Sequence, residues 1–333
     1  VTMTSLLVAK QYIKKFYGKY EVYLMPLWKF MLAFISLMLI NGKLGFMERI
    51  DKTTAVLVVS LMCSFMPMNF IIIIAAAFVL LHVYALSLEC AVVMLAAFLL
   101  MFLLYFRFSP KDTVVVLLTP ICFWMHIPYA IPIAMGLLGT PASVVSVGCG
   151  TVVYYLIAYV NESTTTLISM EAEEITAKFR FIIDGILDNR AMIVTIGAFA
   201  VTLILVYLIR KLSVDHSWTI AIIAGSLVNI MLLLVGDLMF DTNVAIGGVI
   251  LGTAAAALIA VVIQFFAFNV NYSRTEKVQF EDDEYYYYVK AVPKVTMATP
   301  EHKVKKINQQ KKTRPSQRSG EGRKMGNSKT SDQ

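Results

Sequence analysis

Apolar positions along the chain gather into long runs, and short clusters of charge separate the runs. Residues 23–41 form the first, about the 20 residues that a membrane-crossing helix needs, with Lys29 near its start where the stem can snorkel. Residues 53–106 contain one charged side chain, Glu89, and residues 113–160 contain none. Both long runs are broken inside, the first at Ser64-Phe-Met-Pro-Met-Asn69 and the second at Pro120, His126, Pro128, Pro132 and Thr140-Pro141. Three cleaner runs, 191–209, 218–238 and 244–268, complete the apolar body; the last carries Gly247-Gly248, Gly252 and Ala254 to Ala257, small residues that allow close helix packing.

Between the runs the pattern is amphipathic. In residues 5–22, Lys10, Lys14, Lys15 and Lys19 alternate with Leu6, Leu7, Ile13, Phe16, Tyr17 and Tyr20, which predicts a basic helix on the cytoplasmic leaflet or a loop whose lysines obey the positive-inside rule. No signal peptide is expected, because no small-residue cleavage site follows the first apolar run; Val1 with Met3 close behind reads as an alternative start or a trimmed chain. In residues 161–190, Ile175, Phe179, Ile182, Ile183 and Ile186 recur at helical spacing among acidic residues, predicting a surface helix on the outer face. Near the C-terminus, 277–280 and 285–289 read as two strands flanking the acidic turn Glu281-Asp-Asp-Glu284. From residue 298 onward almost nothing is apolar, and disorder is expected.

The composition agrees: 58% of the 333 residues are hydrophobic and 15% charged, with a mean hydropathy of +0.71. A soluble domain is about 25% charged. The predicted fold class is therefore all-α, a polytopic transmembrane helical bundle with a short β-hairpin-like segment and a basic tail. Its segments are a basic N-terminus (1–22), a first span (23–41), two membrane units (52–106 and 111–160), an acidic insert (161–190), three helices (191–268), an acidic-tyrosine segment (271–297) and the tail (298–333). A soluble enzyme, a secreted disulfide scaffold and a sequence-specific nucleic-acid binder are excluded as the main identity. Net charge is +1 over residues 1–270 and +6 over 271–333, so the basic character belongs to the tail.

A shift of 59 residues lays unit 52–102 on 111–161 without a gap, pairing Cys63 with Cys122, Met66 with Met125, Ser87 with Ser146 and Cys90 with Cys149. The overlay has 11 identities in 51 positions and pairs all four cysteines of the chain at one offset. This suggests an internal duplication; accidental register in low-complexity apolar sequence is the alternative. A cytoplasmic N-terminus, Arg210-Lys211 and tail require an even number of crossings, and the basic loop Arg107-Phe-Ser-Pro-Lys111 placed inside makes the units inverted repeats. The count is six with 55–86 and 113–139 as re-entrant hairpins, ten with every segment crossing, and eight, with parallel repeats, if 55–86 is one kinked helix.

Broken helices in inverted repeats place irregular backbone at the bilayer midplane, where it is tolerated only if buried or lining a polar cavity. The favoured function is accordingly a transporter or permease-like component for a small solute or ion. The pathway candidates are Asn69 and His126 at the breaks, and His82 and Glu89, which share a face if the helix continues through Ser87. Asn229, with Asp237 near the end of its span, completes the set. Each has a plain structural alternative: satisfying freed backbone groups, sitting in an interface loop or capping a helix end. Lys303, Lys305, Lys306, Lys311, Lys312 and Arg314 are candidates for binding anionic lipid or a cytoplasmic protein. The rival reading is a non-transporting scaffold that recruits such a partner through the tail. No catalytic residue, metal-ligand spacing, cofactor motif or ATPase motif is recognised, so an enzyme is not expected and ATP-driven transport would need a separate ATPase subunit. A homo-oligomer fits equally.

The string Val278-Gln-Phe-Glu-Asp-Asp-Glu-Tyr-Tyr-Tyr-Tyr-Val-Lys-Ala-Val-Pro-Lys294 resembles the tail of a group of multi-pass membrane proteins from Gram-positive anaerobic bacteria. The resemblance covers about 17 residues and the span before them. It implies a bacterial plasma-membrane setting and no particular activity.

Overall fold

The structure is a computed structural model and describes residues 2–170, 175–242, 245–267, 276–281 and 286–291. It divides into two units, Val1–Val270 and Asn271–Gln333.

The first unit is all helix. α1 (Thr2–Leu44) bends at Tyr20, whose φ of −113° and ψ of 17° leave the helical range, so the basic stretch and the apolar stretch run on separate axes. After the short α2 (Glu48–Asp51) come α3 (Thr53–Phe65), α4 (Met68–Leu86) and α5 (Leu88–Phe108). Next are α6 (Thr113–Trp124), α7 (Ala130–Leu138) and α8 (Ser143–Glu162). The short α9 (Thr164–Ser169) and α10 (Ile175–Leu187) precede α11 (Arg190–Arg210), α12 (Ser217–Phe240) and α13 (Ile246–Ala267). Seven helical stretches are long and apolar enough to cross a bilayer. Outward faces carry large apolar side chains in the open, such as Leu238 at 83% and Phe65 at 80% exposure. In water such faces would be an aggregation surface; in lipid they are the solvated surface. This is a multi-pass membrane protein.

Side-chain bonds fix which helix ends meet. At one end, called here the near end, the Ser64 hydroxyl donates to the Pro26 carbonyl (2.8 Å) and Lys29 Nζ to the Met66 carbonyl (3.1 Å). Tyr105 meets Asn69 and Thr113 there, and the Ser109 and Ser146 hydroxyls are 2.6 Å apart. At the far end His82 joins Asn41 and Met47. The path follows: α1 runs near to far, α3 returns, α4 goes out, α5 returns and α8 goes out again.

The segment before α8 behaves differently. α6 rises from the near end for 12 residues, about 18 Å, and α7 comes back over 9 residues, about 14 Å. A hydrocarbon core is about 30 Å thick, so this pair dips in and returns to the side it entered. α4 does not: its 19 residues, about 28 Å, run from the Asn69 cluster at the near end to His82 at the far end, while α3 joins the same two ends with 13 residues. Seven stretches are thus long enough to cross, α3 is not among them, and one hairpin returns. The physical reason is Pro128, Pro132, Gly136, Gly139 and Pro141, which halve α7 relative to the 19-residue α4.

α3 and α6 nonetheless end at equivalent residues, Phe65 and Trp124, at the 59-residue offset, and enter the bundle from opposite ends. α1, α3, α4, α5, α6 and α8 share one apolar core, while α7 packs on α11, α12 and α13 through separate clusters. In the second unit β1 (Glu276–Glu281) pairs antiparallel with β2 (Tyr286–Ala291), Glu281 opposite Tyr286. The acidic turn between them and the basic tail lie outside the described residues.

Candidate functional site

Several of the polar residues singled out in the sequence hold helix ends together. Asn69 opens α4, where its Oδ1 accepts from Thr113 Oγ1 and lies 3.2 Å from the Tyr105 hydroxyl; that hydroxyl is also 3.1 Å from the Pro110 carbonyl. The cluster ties α4, α5, the 109–112 turn and α6 together. His82 is completely buried. Its Nδ1 accepts from the Met47 N–H (3.2 Å), which leaves Nε2 as the protonated nitrogen, donating to Asn41 Oδ1 (2.9 Å). Asn41 Nδ2 in turn donates to the Ile50 carbonyl (2.7 Å), so the neutral imidazole latches the α1–α3 connection with no nitrogen to spare.

Glu89 shares no helix with His82, because Ser87 is extended (φ −158°, ψ 130°) and separates α4 from α5. Ser87 caps α5 by accepting from the Cys90 N–H (3.3 Å) and donating to Glu89 Oε2 (2.6 Å); a carboxylate in that first turn suits the helix dipole. Asp237 accepts from Thr242 Oγ1 (2.7 Å) at the far end of α12, and its carbonyl accepts from the Asp241 N–H (2.8 Å).

His126 occupies the tip of the returning hairpin, exposed, with φ of +61°. Its N–H donates to the Phe123 carbonyl (3.0 Å) and the Ile127 N–H to the Cys122 carbonyl (2.9 Å). That pair of bonds closes a helix by the Schellman arrangement, in which the left-handed position is usually glycine. A histidine there carries a backbone cost of about 1 kcal/mol.

Asn229 differs from all of these. It is completely buried, its Oδ1 accepts only a long bond from Thr202 Oγ1 (3.4 Å), and its Nδ2 has no partner. On the neighbouring α13, Thr253 Oγ1 is also buried and without a partner, as are Ser226 Oγ on α12 itself and, elsewhere, Ser60 Oγ on α3. An orphaned buried polar group costs about 1–3 kcal/mol, so finding three on adjacent helices calls for a reason.

Position supplies it. On α11, α12 and α13 respectively, Ala198, Leu233 and Val249 form one apolar cluster, while Val206, Ile222 and Ala256 belong to another with Ala130 and Ile133 of α7. Thr202, Asn229 and Thr253 fall between these clusters on the inward stripes of the same three helices. Tyr129, immediately before α7, packs against both clusters, so the polar layer lies where α7 begins. A Cβ on Gly252 would stand 2.7 Å from the Tyr129 ring and 3.2 Å from the His126 carbonyl, which shows how closely the hairpin tip is pressed against α13. Gln264 donates to Thr219 Oγ1 (3.1 Å) at the near end. Thr253 and Asn229 lie 11 and 10 residues from those positions, about 15–17 Å deep and so near mid-depth.

The returning hairpin is anchored at its other end. Arg210 at the end of α11 donates through Nη1 to the Leu137 carbonyl and through Nη2 to the Gly139 carbonyl (3.4 Å), satisfying carbonyls that α7 leaves open. Its guanidinium lies 5.3 Å from the Tyr207 ring centre and 5.8 Å from that of Trp218. Lys10 does a similar service for α13, donating to the Phe265 carbonyl (2.6 Å).

Sequence reasoning missed Thr202, Thr253 and Arg210. Only Thr253 left a signal, as the hydroxyl within the small-residue stretch of α13; Arg210 read as a membrane-end charge. No cluster of His, Cys, Asp or Glu fit for a metal occurs among the described residues. Lys303, Lys305, Lys306, Lys311, Lys312 and Arg314 fall outside the described residues. No protein-family model, curated protein or solved structure matches the chain.

Proposed function

We propose that the protein is a transporter or permease-like component that handles a small solute or ion. The observation that carries the reading is the half-helix α7, which starts at the mid-depth level of Asn229 and Thr253, whose buried Nδ2 and Oγ1 lack partners. Irregular backbone inside a bilayer is stable only when buried or beside a polar cavity, and discontinuous helices of this kind line the binding sites of secondary transporters. The opposed entry of α3 and α6, ending at equivalent residues, supports an inverted duplication as the origin of the bundle.

In this reading the near end faces the cytoplasm. Lys10, Lys14, Lys15, Lys19, Lys29, Arg107, Lys111, Arg210 and Lys211 gather there against Glu21, Asp112 and Asp215, whereas described acids outnumber bases at the far end. The resemblance of the acidic-tyrosine segment supports a bacterial plasma membrane as the setting. Transport driven by ATP would use a separate subunit. The test is flux in proteoliposomes: wild type moves a solute, and Asn229→Leu reduces that flux while Asn69→Leu, if folded, affects stability more than specificity. Absence of flux for every class of small solute tried refutes the reading.

One observation favours the scaffold alternative. In the second unit Tyr288 is 75% exposed and Val289 47% exposed on opposite faces of β2, so each face of the strand offers an apolar side chain to a cytoplasmic partner. Deleting residues 271–333 separates the two readings, since a transporter keeps its flux and a scaffold loses its whole phenotype.

A further inference from the structure

Resting on the transport reading, the geometry points to a specific ligand chemistry: the mid-depth layer formed by Asn229, Thr253, Thr202 and the start of α7 is a site for a small monovalent anion.

Asn229 Nδ2 is a hydrogen-bond donor, wholly buried and without a protein acceptor, and Thr253 Oγ1, at the same level of the neighbouring helix, is a hydroxyl in the same condition. An amide N–H is satisfied by an acceptor, and a hydroxyl that has spent its proton on no protein group serves one too. A bound cation is better held by several oxygens with a carboxylate among them, and among the described residues the layer supplies none, while Asn229 Nδ2 would be left facing the positive charge.

One helix end of matching sign reaches the layer, and the carbonyls of Ile121, Cys122 and Phe123 at the end of α6 are closed by the N–H groups of Met125, Ile127 and His126. α7 begins at Ala130 and points its N-terminal end at mid-depth, where the aligned peptide dipoles amount to a fraction of a positive charge. The N–H groups of Ala130 and Ile131 are turned back on the Ile127 and Pro128 carbonyls (3.3 and 3.1 Å), so the helix contributes its dipole while the side chains contribute the direct bonds. No ionised side chain among the described residues opposes an anion in the layer: Asp237 stands eight residues farther along α12, about 12 Å away. Equally, no lysine or arginine is there to hold a multiply charged ion, since Arg210 is committed to the Leu137 and Gly139 carbonyls. A dry site of neutral donors and one helix end therefore fits a single negative charge of small radius. Halide-sized ions and small monocarboxylates share that chemistry. A phosphate dianion or a metal cation does not.

The Asn229→Leu substitution discriminates because an idle buried amide and a ligand-binding amide respond in opposite ways. Replacing an orphan with an apolar side chain of similar size relieves a cost, whereas replacing a ligand donor removes a response to ligand. The full chain is purified into nanodiscs of neutral phosphatidylcholine and titrated with sodium chloride, reading the chlorine NMR linewidth. The melting temperature in chloride is compared with that in gluconate at equal ionic strength. Wild type should broaden the chloride line and melt higher in chloride, formate should compete away the broadening, and exchanging sodium for choline should leave both unchanged. Asn229→Leu and the isosteric Thr253→Val should each return the linewidth to that of empty nanodiscs, with Thr253→Val carrying the test should the leucine variant not fold. Broadening that is absent, that survives both substitutions or that follows the cation overturns the proposal. Flux in proteoliposomes keeps the two claims apart. A neutral solute or cation transported with no chloride effect removes the anion site and leaves transport standing. Chloride binding lost in both variants, with no flux of any solute, keeps the site and removes transport.

Discussion

The seat of α7 against α11 makes a quantitative prediction about a single methyl group. A Cβ added at Gly136 would lie 2.6 Å from Val206 Cβ, 2.7 Å from Val206 Cγ1 and 3.0 Å from the Leu203 carbonyl oxygen. Normal contact for these atoms begins at about 3.5 Å. Val206 is completely buried and the third neighbour is backbone, so neither can turn aside. The helices must separate by several tenths of an ångström, and over-packing of this kind costs about 1–3 kcal/mol. Gly197 is the control. It lies within α11 itself, yet a Cβ there meets nothing within 4 Å, so alanine should gain about 0.5–1 kcal/mol from reduced backbone freedom. The two alanine variants should therefore differ by about 1.5–4 kcal/mol, with opposite signs relative to wild type. Equilibrium unfolding in mixed micelles measures this, with Trp124 at the end of α6 and Trp218 at the start of α12 as fluorescent reporters. Equal stability of Gly136→Ala and Gly197→Ala would mean that α7 is not seated in the groove, and the returning hairpin would fall with it.

Arg210→Lys keeps the charge but cannot hold the Leu137 and Gly139 carbonyls as a fork or stack between Tyr207 and Trp218; a loss of about 1–2 kcal/mol is expected in thermal unfolding, and no change would deny the clamp. His126→Gly should raise stability by about 0.5–1 kcal/mol by relieving the left-handed backbone, and a loss would show that the imidazole is held by a contact the hairpin needs. Single cysteines replacing Lys111 and Lys211, in a background lacking the native four, should react with an impermeant thiol reagent from one side of the membrane, and those replacing Lys43 and Arg180 from the other. Labelling of the Lys111 and Lys211 positions from opposite sides would break the path traced from the Ser109–Ser146 and Arg210–Leu137 bonds.

The sequence was most legible where charge punctuates it. α11, α12 and α13 occupy 190–210, 217–240 and 246–267, within about two residues of the apolar runs, because Arg190, Arg210 and Asp241 bound them. Legibility was poorest across 113–160, which has no charged residue to mark where the chain meets the membrane surface. Proline content signalled breaks in both units alike, but a break becomes a returning turn only if the helix beyond it is too short to traverse. Gly139 and Pro141 decide that for α7, and no counterpart shortens α4. The spacing of His82 and Glu89 misled for a related reason: Ser87 is compatible with a continuing helix in sequence, yet its hydroxyl is worth more as the cap of α5. Whether an intramembrane polar side chain has a partner cannot be read locally at all, since the partners of Asn69 and His82 lie 36 to 44 and 35 to 41 residues away.

Partner satisfaction, more than polarity, sorts the candidates. Asn69, through its Oδ1, and His82, through both ring nitrogens, sit at opposite ends of α4, so residues 52–106 are held at both ends of the bundle. Residues 111–160 contain the returning pair α6 and α7, whose turn must then be accommodated at mid-depth by whatever packs around it. α11, α12 and α13 meet the lower part of that pair with alanines, valines and isoleucines, and reserve Thr202, Asn229 and Thr253 for the level of the turn. Had stability alone shaped this level, leucine at Asn229 and valine at Thr253 would remove two orphaned groups at no cost in volume. The groups instead stand where the backbone is irregular and α7 begins. Residues 52–106 are thus tied at both ends of α4, with Ser60 Oγ of α3 their one buried orphan among the described residues, whereas residues 111–160 bring the end of a short helix to the level of polar atoms that have bonding capacity left.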